Sequence, residues 1–331
     1  MSGAAAEGDA AEPFRQWMER ALYDPQRGYY SRRIQDIGRR GDFATAATLD
    51  GGLASGIAHW LRECAAEVPG IRHVVEIGPG SGELMQAVRR QLGLWRRLRW
   101  TFHLVEKSTP LRQAQQARLG AAKLRWHDSV EQALAAAQGR AWIFHNELLD
   151  AFPCDRYELS EDGWREVWVR HRAGRVIGEE LRKSETPPSD ASALTTGWAR
   201  PGQRVEVHAS VQRWLAGWAP YWQAGRMLSI DYGDEFPALY QRRPRGTVRG
   251  YVIHQRNEGA AIYESPGRQD LTADVNATDY RRWAAQLGWR EVAFCSQAAW
   301  LCARGLGSSP MADAEGAGAA FWVADHAAAA R

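Results

Sequence analysis

From residue 71 onward the chain alternates short apolar runs with helical stretches, and no other feature restricts its fold as strongly. Strands are predicted over 73–77, 101–106, 123–126, 141–144 and 227–231, with helices over 83–92 and 109–119 separating the first three. Strands that alternate with helices need crossover connections, and these build a parallel sheet with both faces covered. The expected class is therefore α/β, with a doubly wound sheet. Two late apolar runs, 290–294 and 320–323, suit an antiparallel pair closing one edge.

The alternation is interrupted. Residues 156–181 switch to apolar–polar alternation around two turn signals, Glu161-Asp162-Gly163 and Arg172-Ala173-Gly174, as antiparallel hairpins do. A Ser/Thr/Pro-rich stretch follows, and a helix predicted over 206–223 returns the chain to the sheet. At the N-terminus, amphipathic helices over 14–22 and 53–64 flank a long segment rich in Gly and Tyr. An irregular segment of that length reads as a lid or a binding loop, or alternatively as a surface wrap whose aromatic residues cover core. The expected plan is an N-terminal tail, helices and lid over 1–60, a core over 61–155 and 225–331, and a β-hairpin and helix insertion over 156–224.

Composition narrows the function classes. No run of 18 apolar residues occurs in the 331, so no membrane span is expected. The first 13 residues lack both a basic and an apolar region, which points to a cytoplasmic protein. A formal net charge of +3 is small for this length, and Arg96, Arg97, Arg99 and Arg242, Arg243, Arg245 read as solvated faces, so no nucleic acid is expected as a partner. Cys64, Cys154, Cys295 and Cys302 form no CxxC, and neither a disulfide nor a metal site is expected.

The chemistry concentrates at strand ends. VVEIGPGSG places Gly78, Gly80 and Gly82 between the first strand and its helix, where glycine permits tight turns and close ligand approach and the helix offers unpaired N–H groups. Glu83 stands where a dinucleotide fingerprint wants Gly or Ala, and Glu76 sets a carboxylate before the loop. That carboxylate would repel a pyrophosphate but suits the ammonium of S-adenosyl-L-methionine. Glu106, 24 residues beyond Gly82, is placed to accept both hydroxyls of an adenosine ribose. After the third strand, Asp128 and Ser129 could meet the adenine or, equally, cap the following helix.

AWIFHNELLDAFP ends the fourth strand near the expected topological switch, so His145, Asn146 and Glu147 would face the reactive centre. Glu147 and Asp150 lie three apart, which on a helical turn gives one face. Two carboxylates so placed match a planar guanidinium. Alternatively, Asn146 caps a helix whose first turn the acids favour.

Together LYDPQRGYY, GDFAT, VVEIGPGSGELM, FHLVE, NELLDAFP with GWREVWV, IDYG and QDLTADVN, in this order, resemble the MidA family of class I S-adenosyl-L-methionine-dependent methyltransferases. The resemblance implies a seven-stranded, Rossmann-like sheet with an N-terminal helical lid, and donor binding by Glu76, Gly78, Gly80, Gly82 and Glu106; Asn146, read above at the strand end, is expected to join these donor-binding residues. It implies a protein substrate, methylated on arginine and drawn from a respiratory complex, for which Glu147 and Asp150, read above as a match for a guanidinium, are the expected catalytic carboxylates. NELLDAFP is also similar to half of the acidic loop of protein arginine methyltransferases. On the substrate side the resemblance points to Tyr23, Tyr29, Gly41, Asp42, Phe43, Thr45, His254 and Asp270. The chain departs from the family at residues 45–48 and at Leu53 and Ala54, and its C-terminal part is short. Two other readings stay open: a small-molecule methyl acceptor, or a non-catalytic assembly factor binding a client through Trp164, Trp168, Trp214, Trp218 and Trp222.

Overall fold

The computed structural model describes residues 9–32, 51–120, 122–185, 188, 190–195, 197–252 and 255–329. The chain falls into two compact units. The larger gathers Ile34–Asp150, Gln212–Asp234 and Tyr280–Arg331 around a sheet of β1 (His73–Ile77), β2 (Thr101–Val105), β3 (Leu124–His127), β4 (Trp142–Asn146), β5 (Arg226–Asp234), β6 (Arg290–Ser296) and β7 (Phe321–Ala327). Their order is β6-β7-β5-β4-β1-β2-β3. β1 to β5 run parallel, while β7 is antiparallel to both β5 and β6. This is the expected doubly wound α/β sheet, closed at one edge by the predicted late pair.

Every second residue of the central strands faces one helical layer. Val74, Phe102, Trp142, Phe144 and Leu228 are fully buried with Ile57 and Trp60 of α1 (Gly52–Glu67) and Met85 and Val88 of α2 (Glu83–Arg99). The other face is more polar. There Val75 lies opposite His103, and His145 lies opposite Ser229, whose hydroxyl meets that of Tyr280. His73 Nδ1 is 2.9 Å from His103 Nε2, and His103 Nδ1 is 2.9 Å from His127 Nε2, so three imidazoles form a ladder across β1, β2 and β3. Burial pushes the His103 pKa down to about 3, which keeps its ring neutral.

Where the sequence predicts a helix ending at residue 92, α2 continues to Arg99 across Gly93, whose φ of 76° and ψ of 167° redirect the last turns. The helix expected over 206–223 is shorter. Arg204–Val207 is a strand paired with Asp155–Ser160, and the helix itself spans Ala209–Trp218 before a 3-10 turn at Ala219–Tyr221.

The second unit comprises Met1–Arg33, Ala151–Val211 and Glu235–Asp279. It holds the antiparallel insertion: Asp155–Ser160, Gly163–Arg172 and Arg175–Arg182 form consecutive hairpins, with Ala10–Pro13 added along the long middle strand. Arg156 is buried between Glu179 (3.2 Å) and Glu206 (3.3 Å), and Arg204 reaches Glu158 (2.6 Å) and Glu179 (2.7 Å). A separate three-stranded sheet pairs Arg249–Val252 with Gln255–Asn257 and Asp270–Thr272.

In the larger unit, Asp325 of β7 accepts hydrogen bonds from Arg226 Nε (3.0 Å) and Trp60 Nε1 (2.8 Å), tying β5, β7 and α1 together. Arg226 also pairs with the more exposed Glu67 at 2.7 Å. Replacing Asp325 with Asn removes the buried negative charge and one acceptor oxygen, so the guanidinium keeps Glu67 as its charged partner. Asp325→Asn is expected to cost about 3 kcal/mol in urea unfolding followed by tryptophan fluorescence.

Candidate functional site

Gly78, Gly80 and Gly82 all adopt positive φ, at 66°, 53° and 79°. These left-handed conformations fold the link between β1 and α2 into a compact loop that other residues would enter only with strain. The loop is fastened on two sides. Gly78 N–H donates to Val105 O (3.1 Å), and Gln115 from α3 (Thr109–Leu119) donates to Gly80 O (2.7 Å) while its own oxygen accepts from Trp126 Nε1 (3.0 Å). A Cβ at Gly78 would stand 2.7 Å from Leu148 Cδ1, so the loop backbone and the turn after β4 approach closely.

Glu76 is buried in the last turn-side pleat of β1, and its Oε2 has no hydrogen-bond partner among the described residues. Burial alone raises its pKa to about 8. Such a carboxyl can hold a proton or meet a cation. Glu106 follows β2 directly and is no solvated strand-end acid: its Oε1 accepts from Ser108 N–H (2.7 Å) and its Oε2 from Gln115 (3.4 Å). Desolvation still raises its pKa, against these hydrogen bonds. Asp128 is an exposed carboxylate paired with Arg112, which also donates to Glu106 O. Ser129 caps the helix Val130–Ala136, its hydroxyl accepting from Gln132 N–H at 3.4 Å.

The segment after β4 departs from the helical turn expected there. Asn146 ends the strand, Glu147 takes φ +51°, and only Leu149–Ala151 form a 3-10 turn. Glu147 therefore stands outside the turn that holds the buried Asp150, and the two do not share a helical face. Glu147 Oε1 accepts from Asn146 Nδ2 (3.0 Å), and Oε2 meets Tyr232 Oη at 3.5 Å. His145 points elsewhere. It is fully buried, edge-on to Trp214 at 6.4 Å, and its pKa is pushed down to about 3 by burial.

Of three residues that the sequence reading did not single out, Asp231 and Tyr232 organise this turn and Gln115 fastens the glycine loop. Asp231 Oδ2 accepts the N–H groups of Leu148 (3.1 Å) and Leu149 (2.7 Å), and its Oδ1 accepts from Tyr232 N–H (3.0 Å). Burial raises the Asp231 pKa, with the negative charge of Glu147 adding to the effect. Tyr232 and Gln115 complete the set. The IDYG motif was the available signal for Asp231 and Tyr232; nothing local marks Gln115.

In the other unit, Tyr29 and Tyr30 begin the short helix Tyr29–Arg32. Tyr30 donates to Asp270 (2.7 Å) and stacks on Tyr23 at 5.4 Å, and Tyr23 donates to Ala151 O (2.9 Å). Tyr29 is buried edge-on to Tyr30. Burial raises the Asp270 pKa to about 6. Gly41, Asp42, Phe43, Thr45 and His254 lie outside the described residues, as does most of the expected lid.

Since Asp231 fixes two backbone N–H groups of a buried turn, Asp231→Ala is expected to cost about 2 kcal/mol in urea unfolding. Asp231→Asn, which keeps one acceptor, should cost less.

Comparison with known proteins gives this geometry a setting. A crystal structure of a Burkholderia thailandensis superfamily member bound to S-adenosyl-homocysteine superposes with a TM-score of 0.83 at 26% identity, covering 96% of this chain and 88% of that one. The protein named arginine methyltransferase NDUFAF7 homolog, mitochondrial, of Caenorhabditis elegans is 27% identical over 296 residues, which are 79% of this chain and 65% of that protein. The human NDUFAF7 protein is 25% identical over 306 residues, 81% of this chain and 64% of its own length. The chain thus spans about two thirds of the length of these relatives. Both are named mitochondrial, which overturns the expectation of a cytoplasmic protein drawn from the N-terminal composition. A family model of S-adenosyl-L-methionine-dependent methyltransferases matches residues 53–295. With glycine loop, buried acid and sheet order in agreement, the chain belongs to the MidA-like family of S-adenosyl-L-methionine-dependent methyltransferases.

Proposed function

We propose that this protein methylates an arginine side chain of a partner protein, with Glu147 orienting the guanidinium. The observation that carries the reading is the conformation of Glu147. Its carboxylate is set beyond the end of β4 by a left-handed backbone, with Asn146 and Tyr232 fixing its two oxygens. A backbone state that costs roughly 1 to 2 kcal/mol for a non-glycine residue persists where surrounding bonds impose it, and such residues cluster at functional sites. A preset carboxylate matches an always-charged, planar guanidinium, and holds the positive charge away from the nitrogen that reacts. Asp150 is the second carboxylate of this assignment, acting from the adjoining 3-10 turn. The names of the relatives support arginine as the acceptor.

The residues present fit the donor. S-adenosyl-L-methionine supplies the methyl group; the chain's own groups bind and orient it. The Glu76 carboxyl, whose Oε2 has no hydrogen-bond partner among the described residues, would take the cationic amino group, the loop of Gly78, Gly80 and Gly82 would admit close backbone contact, and Glu106 would accept the ribose hydroxyls. Asn146 lines the same strand end, and Asp128 and Ser129 stand at the adenine side in this assignment.

Two measurements test the reading. A buried carboxyl with a pKa near 8 is protonated at pH 6 to 7, and meeting a cation ionises it, so binding of S-adenosylhomocysteine should release a proton in that range. Affinity should rise with pH up to about 8, by at most about tenfold per pH unit, and Glu76→Gln should flatten the profile. Calorimetry in buffers of different ionisation enthalpy reads the proton directly. The same shift acts on folding with the opposite tendency: between pH 4.5 and about 8 the folded state binds more protons than the unfolded one, so the Glu76 contribution to stability falls as pH rises.

For the acceptor, Glu147→Gln should lower the rate of labelled methyl transfer to extract proteins by roughly 100-fold while leaving S-adenosylhomocysteine affinity unchanged. A wild-type rate in that variant would remove Glu147 from the acceptor site.

A further inference from the structure

The last turns of α2, redirected at Gly93, present Leu94 (66% exposed), Trp95 (80%) and Leu98 (56%) to solvent, the three most exposed large apolar side chains among the described residues. Spaced i, i+1 and i+4, they form one stripe. Arg96, Arg97 and Arg99 share these turns with it, Arg90 stands across the kink in one cleft with Arg97, and none of these four has an ion-pair partner among the described residues, although the Arg96 guanidinium lies 5.9 Å from the Trp100 ring. The acid of the same helix, Glu83, is already paired with Arg118 at 3.0 Å. Beside the stripe, Gln86, Arg89, Arg90, Arg97 and Leu119 line a cleft of about 180 Å³. Arg89 is 8% exposed there, with its Nε unpartnered among the described residues while Nη2 donates to Ala122 O at 3.0 Å. Crowding of like charge is felt locally: the guanidinium pKa values of Arg62 and Arg89 are lowered, mainly by burial and further by Arg96 and Arg97.

We propose that this helix end is a docking site for an anionic phospholipid surface, with Trp95, Leu94 and Leu98 entering the interfacial layer, the flanking arginines meeting headgroup phosphates, and one phosphate seated in the Arg89–Arg90–Arg97 cleft. An indole and two leucines bordered by cations on a short helical stretch is the arrangement that lies in a membrane interface. A protein partner is the weaker match, because three apolar side chains supply far less than the roughly 800 Å² per partner of a stable interface. The site is separate from the glycine loop at the other end of α2 and from the turn after β4, and it adds no catalytic group.

Co-sedimentation of the full chain with vesicles tests the proposal. Wild type should bind vesicles of phosphatidylglycerol mixed into phosphatidylcholine, should not bind phosphatidylcholine alone, and should be released by added salt. The Trp95→Ser, Leu98→Ser double variant and the Arg90→Gln, Arg97→Gln double variant should each lower the bound fraction about tenfold or more. Both should keep wild-type affinity for S-adenosylhomocysteine, which shows that the fold is intact. Equal binding to neutral and anionic vesicles, or wild-type binding by the Trp95 and Leu98 variant, overturns it. Retention on an immobilised acidic peptide, or saturation by inorganic phosphate, without vesicle binding overturns it in favour of a protein or a free anion.

Discussion

The site depends on a reversal in the sheet. The chain lays β1, β2 and β3 outward in one direction, then returns to place β4 on the other side of β1. Connections on the two sides run away from each other, so the carboxyl ends of β1 and β4 border a notch that no crossover covers. The glycine loop and the Glu147 turn both begin at that notch. Their approach is a result of topology, seen in the contact a Cβ at Gly78 would make with Leu148, and not of any propensity of either segment. A buried acid such as Glu76 is costly in a sheet interior. At a strand end facing the notch, the proposed donor-binding role would give the same group a charged partner.

Much of this fold was legible because parallel strands buried on both faces read as uninterrupted apolar runs. HVVEI, TFHLV and the run before His145 announce themselves. The errors have local causes. Arg204–Val207 alternates for only four residues, too few to distinguish from the start of the helix that follows, and its pairing with Asp155–Ser160 decides the matter. Beyond Gly93, LWRRLR offers no face to the core, so periodicity could not extend α2 to Arg99. The tryptophans at 218 and 222, read in one alternative as a client surface, are core residues packed around Trp289.

Within the site, legibility followed distance along the chain. Gly78, Gly80, Gly82 and Glu76 stand together in one short run, and Glu106 at the next strand end, so pattern alone could find them. Asp231 acts on backbone groups 82 and 83 residues away, so its IDYG motif marks the residue but not its partners, and Gln115 reaches a carbonyl 35 residues back with no local signature. The shape of the Glu147 turn was hidden for the same reason. Local propensity favoured a helical start, but Asp231 captures the N–H groups of Leu148 and Leu149 and holds the chain in another path.

The imidazole ladder on the polar face has an implication of its own. Each N···N contact needs one hydrogen and one lone pair, so the neutral ladder exists in two polarities. In one, His73 donates to His103 and His103 to His127, which leaves a lone pair on His73 Nε2 and an N–H on His127 Nδ1. In the other, every bond is reversed and the outer nitrogens exchange roles. His73 begins β1, inside the sheet, and His127 ends β3, at its edge, so the two outer nitrogens stand two strands apart. A change of polarity would therefore exchange the outer lone pair and the outer N–H between His73 and His127, with all three rings neutral before and after.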